Sequence, residues 1–317
     1  MTARPTAGGL LVLLFLYLSG CAPLQSERLL ATADAFPNPV ELDEVPFFPQ
    51  EDFQCGPAAL ATLLDWSGVG VTPEQLVPEV YVPQRQGSFQ LEMIAATRRH
   101  GRVPYVLQPQ LESLAAELTS GNPVLVLQNL GLSIAPTWHY AVVVGLDLSR
   151  GEIVLRSGRE RRHVTALATF ERTWRRADYW AMVATVPGEL PFTAEELPYV
   201  QSVAALETVG AKEAAIQAYA GALKRWPQSL PALIGLGNAR YATGDLGGAE
   251  DAFRRAIKFH PTAVAAHNNL AQTLADQGRF AEAETTARRA VELAAQGPMA
   301  SSAKQTLDDI LQKKPVP

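Results

Sequence analysis

The sequence is poor in cysteine, with two in 317 residues, at positions 21 and 55. It has no basic excess either, because its net charge at pH 7 is −5, and a chain that binds nucleic acid usually presents a basic face. It also lacks the histidine, cysteine and carboxylate spacings of a metal site and the glycine loop of a phosphate site. We therefore expect no metal, no other cofactor and no nucleic-acid partner.

Long apolar runs are also missing, apart from residues 9–18, which are too few to span a membrane and suit a signal-peptide core. The run leads into Leu18-Ser19-Gly20-Cys21, which resembles the lipobox of bacterial lipoproteins. This resemblance implies that residues 1–20 are a signal peptide and that Cys21 is acylated, which anchors the protein to a membrane. Ala22, rather than aspartate, then implies an outer-membrane lipoprotein facing the periplasm. An ordinary signal peptide that happens to contain cysteine is the alternative.

Acylation of Cys21 would leave Cys55 without a partner for a disulfide bond. A single cysteine in an oxidising compartment is either buried and inert or a reactive thiol. The residues around Cys55 indicate whether its thiol is inert or reactive.

Between the two cysteines, residues 21–45 contain prolines without any hydrophobic period and are expected to form a tether. Residues 46–186 show helical patterns first and strand patterns afterwards, which predicts an α+β domain. Residues 187–197 contain prolines and are expected to be a linker. The predicted helices cover residues 55–66, 73–80, 90–100 and 110–119, and the predicted strands cover 103–107, 124–127, 140–146, 153–155 and 179–186.

The remaining residues, 198–317, repeat with a period of 34. Small residues recur at this spacing, in the triplets Gly210, Gly244, Gly278; Ala215, Ala249, Ala283; and Ala222, Ala256, Ala290. The pattern resembles the tetratricopeptide repeat and predicts an all-α domain of three units with a capping helix near 299–312. The third unit departs from the pattern, with Ala287 at the aromatic position. The separate periodicities predict that the first domain folds without the repeats.

Residues 50–60 contain the candidate nucleophile and the candidate oxyanion donor. Cys55 is expected to open a helix, where the helix dipole and free backbone N–H groups favour its thiolate. Pro57 fits the first helical turn, and Gly56 leaves the approach to the sulfur open. Gln50, a few residues upstream, is placed to donate a side-chain N–H to an oxyanion, together with the Cys55 amide.

His139 lies 84 residues after Cys55 and is followed by the apolar run Tyr140-Ala141-Val142-Val143-Val144. A histidine that begins a buried strand after a loop is available as a general base. Cysteine first and histidine later is the chain order of papain-like enzymes.

The Gln50, Cys55-Gly56-Pro57 and His139-Tyr140 motifs together resemble the double-glycine leader peptidases of bacteriocin exporters and their stand-alone relatives. The resemblance covers about residues 46–186 and implies a papain-like fold. It also implies Cys55 as nucleophile, His139 as general base and Gln50 as oxyanion donor. Gln54 competes for the last role.

The family usually has an aspartate after the strand that follows the histidine, whereas this chain has Ser157 there. A hairpin of residues 140–146 and 152–156 would place Asp147 at its tip, about 25 Å from His139 at about 3.3 Å per residue. Ser157 would lie beside His139 and accept a hydrogen bond from its Nδ1–H. Gln128 and Asn129 are the next candidates to orient the imidazole.

We expect a cysteine peptidase of the cell envelope that cleaves a peptide or protein, while the repeats recruit the substrate or a protein partner. A transglutaminase or amidase could use the same Cys-His pair. A non-catalytic scaffold that only binds peptide is the alternative from a different class.

Overall fold

The computed structural model describes residues 24–50 and 54–314. The expected signal peptide and Cys21 lie outside the described residues. Among those that are described, no helix is both long and apolar enough to cross a membrane. The elements in chain order are α1 Gln25–Ala31, β1 Val40–Glu41, α2 Cys55–Trp66, α3 Pro73–Val80, α4 Gln90–Arg99, β2 Val103–Val106, α5 Leu111–Thr119, β3 Val124–Asn129, β4 Trp138–Asp147, β5 Glu152–Ser157, β6 Glu160–Ala166, α6 Leu167–Arg175, β7 Ala181–Thr185, α7 Glu196–Glu207, α8 Lys212–Arg225, α9 Leu230–Ala242, α10 Leu246–Phe259, α11 Val264–Asp276, α12 Phe280–Ala294 and α13 Ala300–Lys313.

The N-terminal part is an α+β domain built on one antiparallel sheet. The strand order is β2-β7-β3-β4-β5-β6, and β1 pairs with the far end of β4. Strand β3 is buried at all six positions because helices cover both faces of the sheet. Val124 and Val126 face one apolar cluster, and Leu125 and Leu127 face the other, as the alternation of side chains along a strand requires. The predicted fold class, an α+β domain followed by helical repeats, is confirmed.

Helix α2 begins at Cys55, where the sequence predicts its start, with Pro57 in the first turn. It packs against β4 through apolar side chains that include Leu60, Leu63 and Leu64, all at most 1% exposed. The burial of this helix fixes its first residue at the edge of the sheet. The position of Cys55 is therefore set by the core.

The tether expected over residues 21–45 is not what residues 24–45 form. Helix α1 packs into the domain with Leu29 fully buried. The carboxylate of Glu171 accepts hydrogen bonds from the backbone N–H groups of Gln25 and Ser26, at 2.7 and 2.8 Å. These are free first-turn donors, which favour a negative partner. Further along, Val40 pairs with Leu146, so the segment belongs to the α+β domain.

Helices α7–α13 form the all-α repeat region. Gly210, Gly244 and Gly278 adopt positive φ angles of 79°, 85° and 78°, which explains glycine at the turn after alternate helices. The aromatic of one helix fills the gap left by a glycine in the next. A Cβ on Gly235 would overlap the ring of Tyr219, so close helix packing requires glycine there.

The expected linker, residues 187–197, is hydrogen-bonded to the α+β domain. Glu117 of α5 is fully buried and accepts hydrogen bonds from the N–H groups of Phe192 and Thr193. Helix α7 packs against strand β2, and both contribute to one apolar cluster that continues into α8 and α9. The two regions therefore share a core, which differs from the expectation of two separately folding units.

Candidate active site

A cavity of about 770 Å³ opens where α2 meets the sheet. One wall is the segment 85–90 between α3 and α4, and the other is the end of the β3–β4 loop with the start of β4. Cys55, His139 and Gln50 line the cavity, and Gly158 lies at its edge. The structure thus brings together three residues that are up to 89 positions apart in the sequence.

Cys55 is the free cysteine of the described residues, and it is partly buried at the start of α2. Burial raises the pKa of its thiol, and backbone N–H groups of Tyr140, Gly56 and Cys55 itself act in the opposite direction. The expectation that the helix start favours the thiolate is therefore only partly met. The N–H groups face the sulfur, but burial outweighs them, and the pKa of the resting thiol lies above its ordinary value.

Gly56 has a steric role that differs from the expected one. A Cβ at this position would overlap Oγ of Ser88 and lie 2.7 Å from its Cβ. The Ser88 side chain therefore sits against the backbone of the nucleophile helix. The hydroxyl of Ser88 is buried without a hydrogen-bond partner among the described residues. Only glycine lets Ser88 and α2 approach this closely.

His139 begins β4, and its Nε2 lies 2.8 Å from Oγ of Ser157. Sequence reasoning paired Ser157 with His139 correctly but assigned the wrong nitrogen, because the rotation of the ring depends on packing. With Nε2 held by Ser157, Nδ1 of His139 forms no hydrogen bond with another described residue, Cys55 included. Burial, together with the charge of nearby His163, lowers the pKa of His139 to about 4. The imidazole is therefore neutral near pH 7 and can act as a base.

The structure distinguishes between the two glutamines considered as oxyanion donors. Gln50 lines the cavity, and its Nε2 donates to the carbonyl of Tyr140 at 3.2 Å. Its backbone N–H donates to the carbonyl of Gly158 at 2.9 Å. One amide hydrogen of the side chain is left for a ligand. Gln54, next to the nucleophile, does not line the cavity.

The other acceptors considered for His139 are engaged elsewhere. Asp147 pairs with Glu152 at the far end of the β4–β5 hairpin and accepts from Ser149 at 2.6 Å. The side-chain N–H of Gln128 donates to Thr173, and the side-chain oxygen of Asn129 accepts from two N–H groups of the following loop. Ser157 is thus the side chain that holds His139 in the described residues.

Tyr140 belongs to the motif that the sequence analysis noted, but no role in the site was predicted for it. Its N–H faces the Cys55 sulfur, its carbonyl accepts from Gln50, and its hydroxyl donates to the carbonyl of Ser88 at 3.3 Å. Its ring packs edge-on against Trp180, with centroids 5.9 Å apart. Its place directly after the histidine was the signal available in the sequence, but nothing there indicated Ser88.

A second, smaller cavity of about 210 Å³ lies in the repeat region. Its lining is rich in side-chain amides, from Asn238 of α9 and from Asn268, Asn269 and Gln272 of α11. Amide groups can hydrogen-bond to a peptide or to polar side chains. Sequence reasoning predicted that the repeats as a whole present a surface to a substrate or partner, and it named no residues for it.

Solved structures resemble each region separately. A Bacillus anthracis protein described as a putative C39-like peptidase is 17% identical, with a TM-score of 0.41, over 47% of this chain and 98% of its own. The type III secretion translocator chaperone SycD of Yersinia enterocolitica is 22% identical, with a TM-score of 0.34, over 37% of this chain and 95% of its own. The TPR2B domain of yeast Sti1 is 19% identical, with a TM-score of 0.36, over 38% of this chain and 99% of its own.

Two family models match separate parts of the chain. The model of the Peptidase_C39 like family matches residues 42–182, and that of the tetratricopeptide repeat matches residues 205–264 and 234–298. No curated protein matches the sequence. The described chain therefore consists of an α+β domain that resembles C39-like peptidases, followed by an all-helical region that resembles tetratricopeptide repeats.

Proposed function

We propose that the protein is a cysteine peptidase of the cell envelope, with Cys55 as nucleophile and His139 as general base. The observation that supports this most is that Cys55 and His139 line one cavity while Ser157 holds Nε2 of the imidazole. This arrangement leaves Nδ1 for the thiol proton. Gln50 and the Cys55 N–H would stabilise the oxyanion.

The proposed reaction starts from a neutral thiol and a neutral imidazole, since burial raises the pKa of Cys55 and lowers that of His139. His139 Nδ1 takes the thiol proton as the sulfur attacks the peptide carbonyl. The imidazolium then gives this proton to the leaving amine, and a thioester remains on Cys55. Water, deprotonated by His139, hydrolyses the thioester and restores the thiol.

The cellular setting is also a proposal. We infer that Cys21 is acylated and holds the protein at the outer membrane on the periplasmic side, as the lipobox-like sequence indicates. Cys21→Ala should then abolish metabolic labelling with a fatty acid. Labelling that persists in this variant would contradict the anchor.

The repeats would recruit the substrate or a protein partner. The amide-lined cavity between α9 and α11 supports this role, since it offers several hydrogen-bonding groups on one surface. The match of this region to the tetratricopeptide repeat family suggests the binding of protein or peptide.

The test of peptidase activity is covalent labelling of the full chain by a peptide carrying a thiol-reactive group, followed by mass spectrometry. We expect a single adduct on Cys55, lost in Cys55→Ala and strongly reduced in His139→Ala. Turnover of a quenched peptide library should follow the same order. Labelling no faster than that of free cysteine would contradict the proposal.

A non-catalytic peptide-binding scaffold is the second candidate. The raised thiol pKa and the serine in place of the family's aspartate favour it, because both weaken a thiolate–imidazolium pair. A scaffold would bind peptide equally well with Cys55→Ala and would show no turnover in the wild-type protein. Measured affinity and turnover therefore separate the two functions.

A further inference from the structure

The loop that joins β3 to β4, residues 130–137, exposes an unusual set of apolar side chains, and we call it the apolar loop. Leu130 is 49% exposed, Leu132 64% and Ile134 92%, and Trp138, directly after the loop, is 53% exposed. Large apolar residues grouped on one surface mark an interaction site more often than scattered ones do.

The apolar loop is held in place by its own backbone. The N–H of Leu130 donates to the carbonyl of Thr137, and the side-chain oxygen of Asn129 accepts from the N–H groups of Gly131 and Thr137. A Cβ on Gly131 would overlap the carbonyl oxygen of Ala135, so the turn is tight. A hydrogen-bonded turn therefore holds the apolar side chains of this loop towards solvent.

The basic C-terminal end of α6 contacts this loop through Arg176, although the whole chain is acidic. Arg176 donates to the carbonyl of Gly131 at 2.7 Å, which ties the end of α6 to the apolar loop. Arg172 and Arg175 on α6 are exposed, and neither forms an ion pair with another described residue. Among the described residues 167–178, Asp178 is the exposed acidic residue. Apolar side chains beside unpaired arginines suit the headgroup region of an anionic bilayer.

The N-terminal end of the described chain is fixed to the same helix. Glu171 of α6 binds the first N–H groups of α1, and Arg176 follows five residues later, about 7.5 Å along a helix axis. The covalent chain from Cys21 to Gln25 reaches at most about 14 Å. A lipid on Cys21 would therefore hold α6 and the apolar loop close to the bilayer.

We propose that the apolar loop, with Arg172 and Arg175, is a surface that binds an anionic lipid bilayer. Trp138 extends this surface, since an amphipathic ring suits the boundary between lipid and water. Pro136, Thr137 and Trp138 also line the cavity that holds Cys55. The cavity then opens at the membrane surface and receives peptide segments that lie on or emerge from the bilayer.

The test uses a chain that begins at Ala22, which keeps every described residue and carries no acyl group. Sedimentation with phosphatidylcholine vesicles, with and without phosphatidylglycerol, measures its partition coefficient. We expect binding to the anionic vesicles that weakens as salt is raised. Leu132→Ser with Ile134→Ser should reduce the partition coefficient at least about 10-fold, and Arg172→Gln with Arg175→Gln should remove the preference for phosphatidylglycerol.

Phe192→Ser is the matched control, because Phe192 is 61% exposed in the linker, where its N–H donates to Glu117 of α5, and should leave binding unchanged. Absence of binding by the chain with wild-type residues, or binding that Leu132→Ser with Ile134→Ser does not weaken, would overturn the proposal. So would a dimer that Ile134→Ser disperses in the absence of vesicle binding, since a second copy would then cover the loop. Vesicle binding needs no catalysis, so this result is independent of the reactivity of Cys55.

Discussion

The rings of Tyr105 and Tyr199 lie 6.4 Å apart, and this contact joins the peptidase-like domain to the repeats. Tyr105 belongs to the edge strand β2, and Tyr199 belongs to α7, the first helix of the repeat region. The hydroxyl of Tyr105 accepts a hydrogen bond from the N–H of Glu195 at 3.1 Å. On its other side Tyr199 packs near Trp226, which directly follows the neighbouring helix α8, with ring centroids 6.2 Å apart. The repeats therefore complete the core of the first domain.

This shared core predicts that a chain ending at residue 197 loses stability. Tyr199, Val203 and Leu206 are fully buried, and each contributes roughly 1.5–3 kcal/mol by leaving water. Their loss is comparable with the whole stability of a typical domain, about 5–15 kcal/mol. A chain ending at Gly244 keeps α7–α9 and should remain soluble and cooperative in thermal unfolding. Equal stability of the two truncations would contradict a shared core.

A second prediction concerns the contact between Gly56 and Ser88. Gly56→Ala should destabilise the fold by about 1–3 kcal/mol, as overpacking does, and should lower thiol labelling because the start of α2 must shift. The free energy of unfolding from urea titration measures the first effect. Gly70→Ala is the matched control, because a Cβ at that position meets nothing within 4 Å.

The double variant Gly56→Ala with Ser88→Gly tests the cause. Removing the Ser88 side chain makes room for the added methyl group, so this variant should recover much of the labelling rate lost in Gly56→Ala. If the double variant labels no faster than the single one, the steric account of Gly56 is wrong.

Elements whose structure is set by local sequence signals could be predicted from the sequence. The cysteine before Gly56-Pro57 and the apolar run that follows predicted α2 with its observed bounds, and the 34-residue period predicted the repeats. Strand β6 was missed because most of its residues are exposed and polar, so no apolar alternation reveals it. The packed segment 24–45 was missed because its partner, Glu171, lies about 145 residues away.

In the candidate active site, too, the residues could be predicted from local motifs, but features that depend on packing could not. Cys55, His139, Gln50 and Ser157 could be chosen from their motifs, and the structure brings them to one place. The nitrogen that Ser157 holds could not be derived, since the ring angle of His139 depends on its burial. The net direction of the Cys55 pKa also depends on burial, which no local motif records.

His139 should give the protein a pH-dependent stability. The imidazole stays neutral in the folded state down to about pH 4, whereas in the unfolded chain it takes up a proton below about pH 6.5. The unfolded state binds more protons in this window, so stability falls as the pH is lowered from 6.5 to 4. The loss is roughly 3 kcal/mol for a pKa shift of this size.

Urea unfolding of wild type and His139→Gln between about pH 4 and pH 7 measures this effect. The difference in unfolding free energy between the two proteins should change steadily as the pH falls, because the variant has no imidazole to protonate. A difference that is constant across the range would show that the environment of His139 does not depress its pKa.

The last prediction tests the hydrogen bond between Ser157 and His139. Ser157→Ala removes a neutral hydrogen bond, commonly worth about 0.5–1.5 kcal/mol, and should lower peptide turnover up to about 10-fold. Ser157→Asp should raise the pKa of His139, because a carboxylate beside Nε2–H stabilises the imidazolium through a charge-assisted bond. A protonated imidazole in turn stabilises the Cys55 thiolate. Alkylation by iodoacetamide at about pH 5–7 should therefore be faster in Ser157→Asp than in wild type. Ser301→Asp, on the exposed surface of α13, controls for the added charge. If neither substitution at position 157 changes alkylation or turnover, Ser157 does not orient the base.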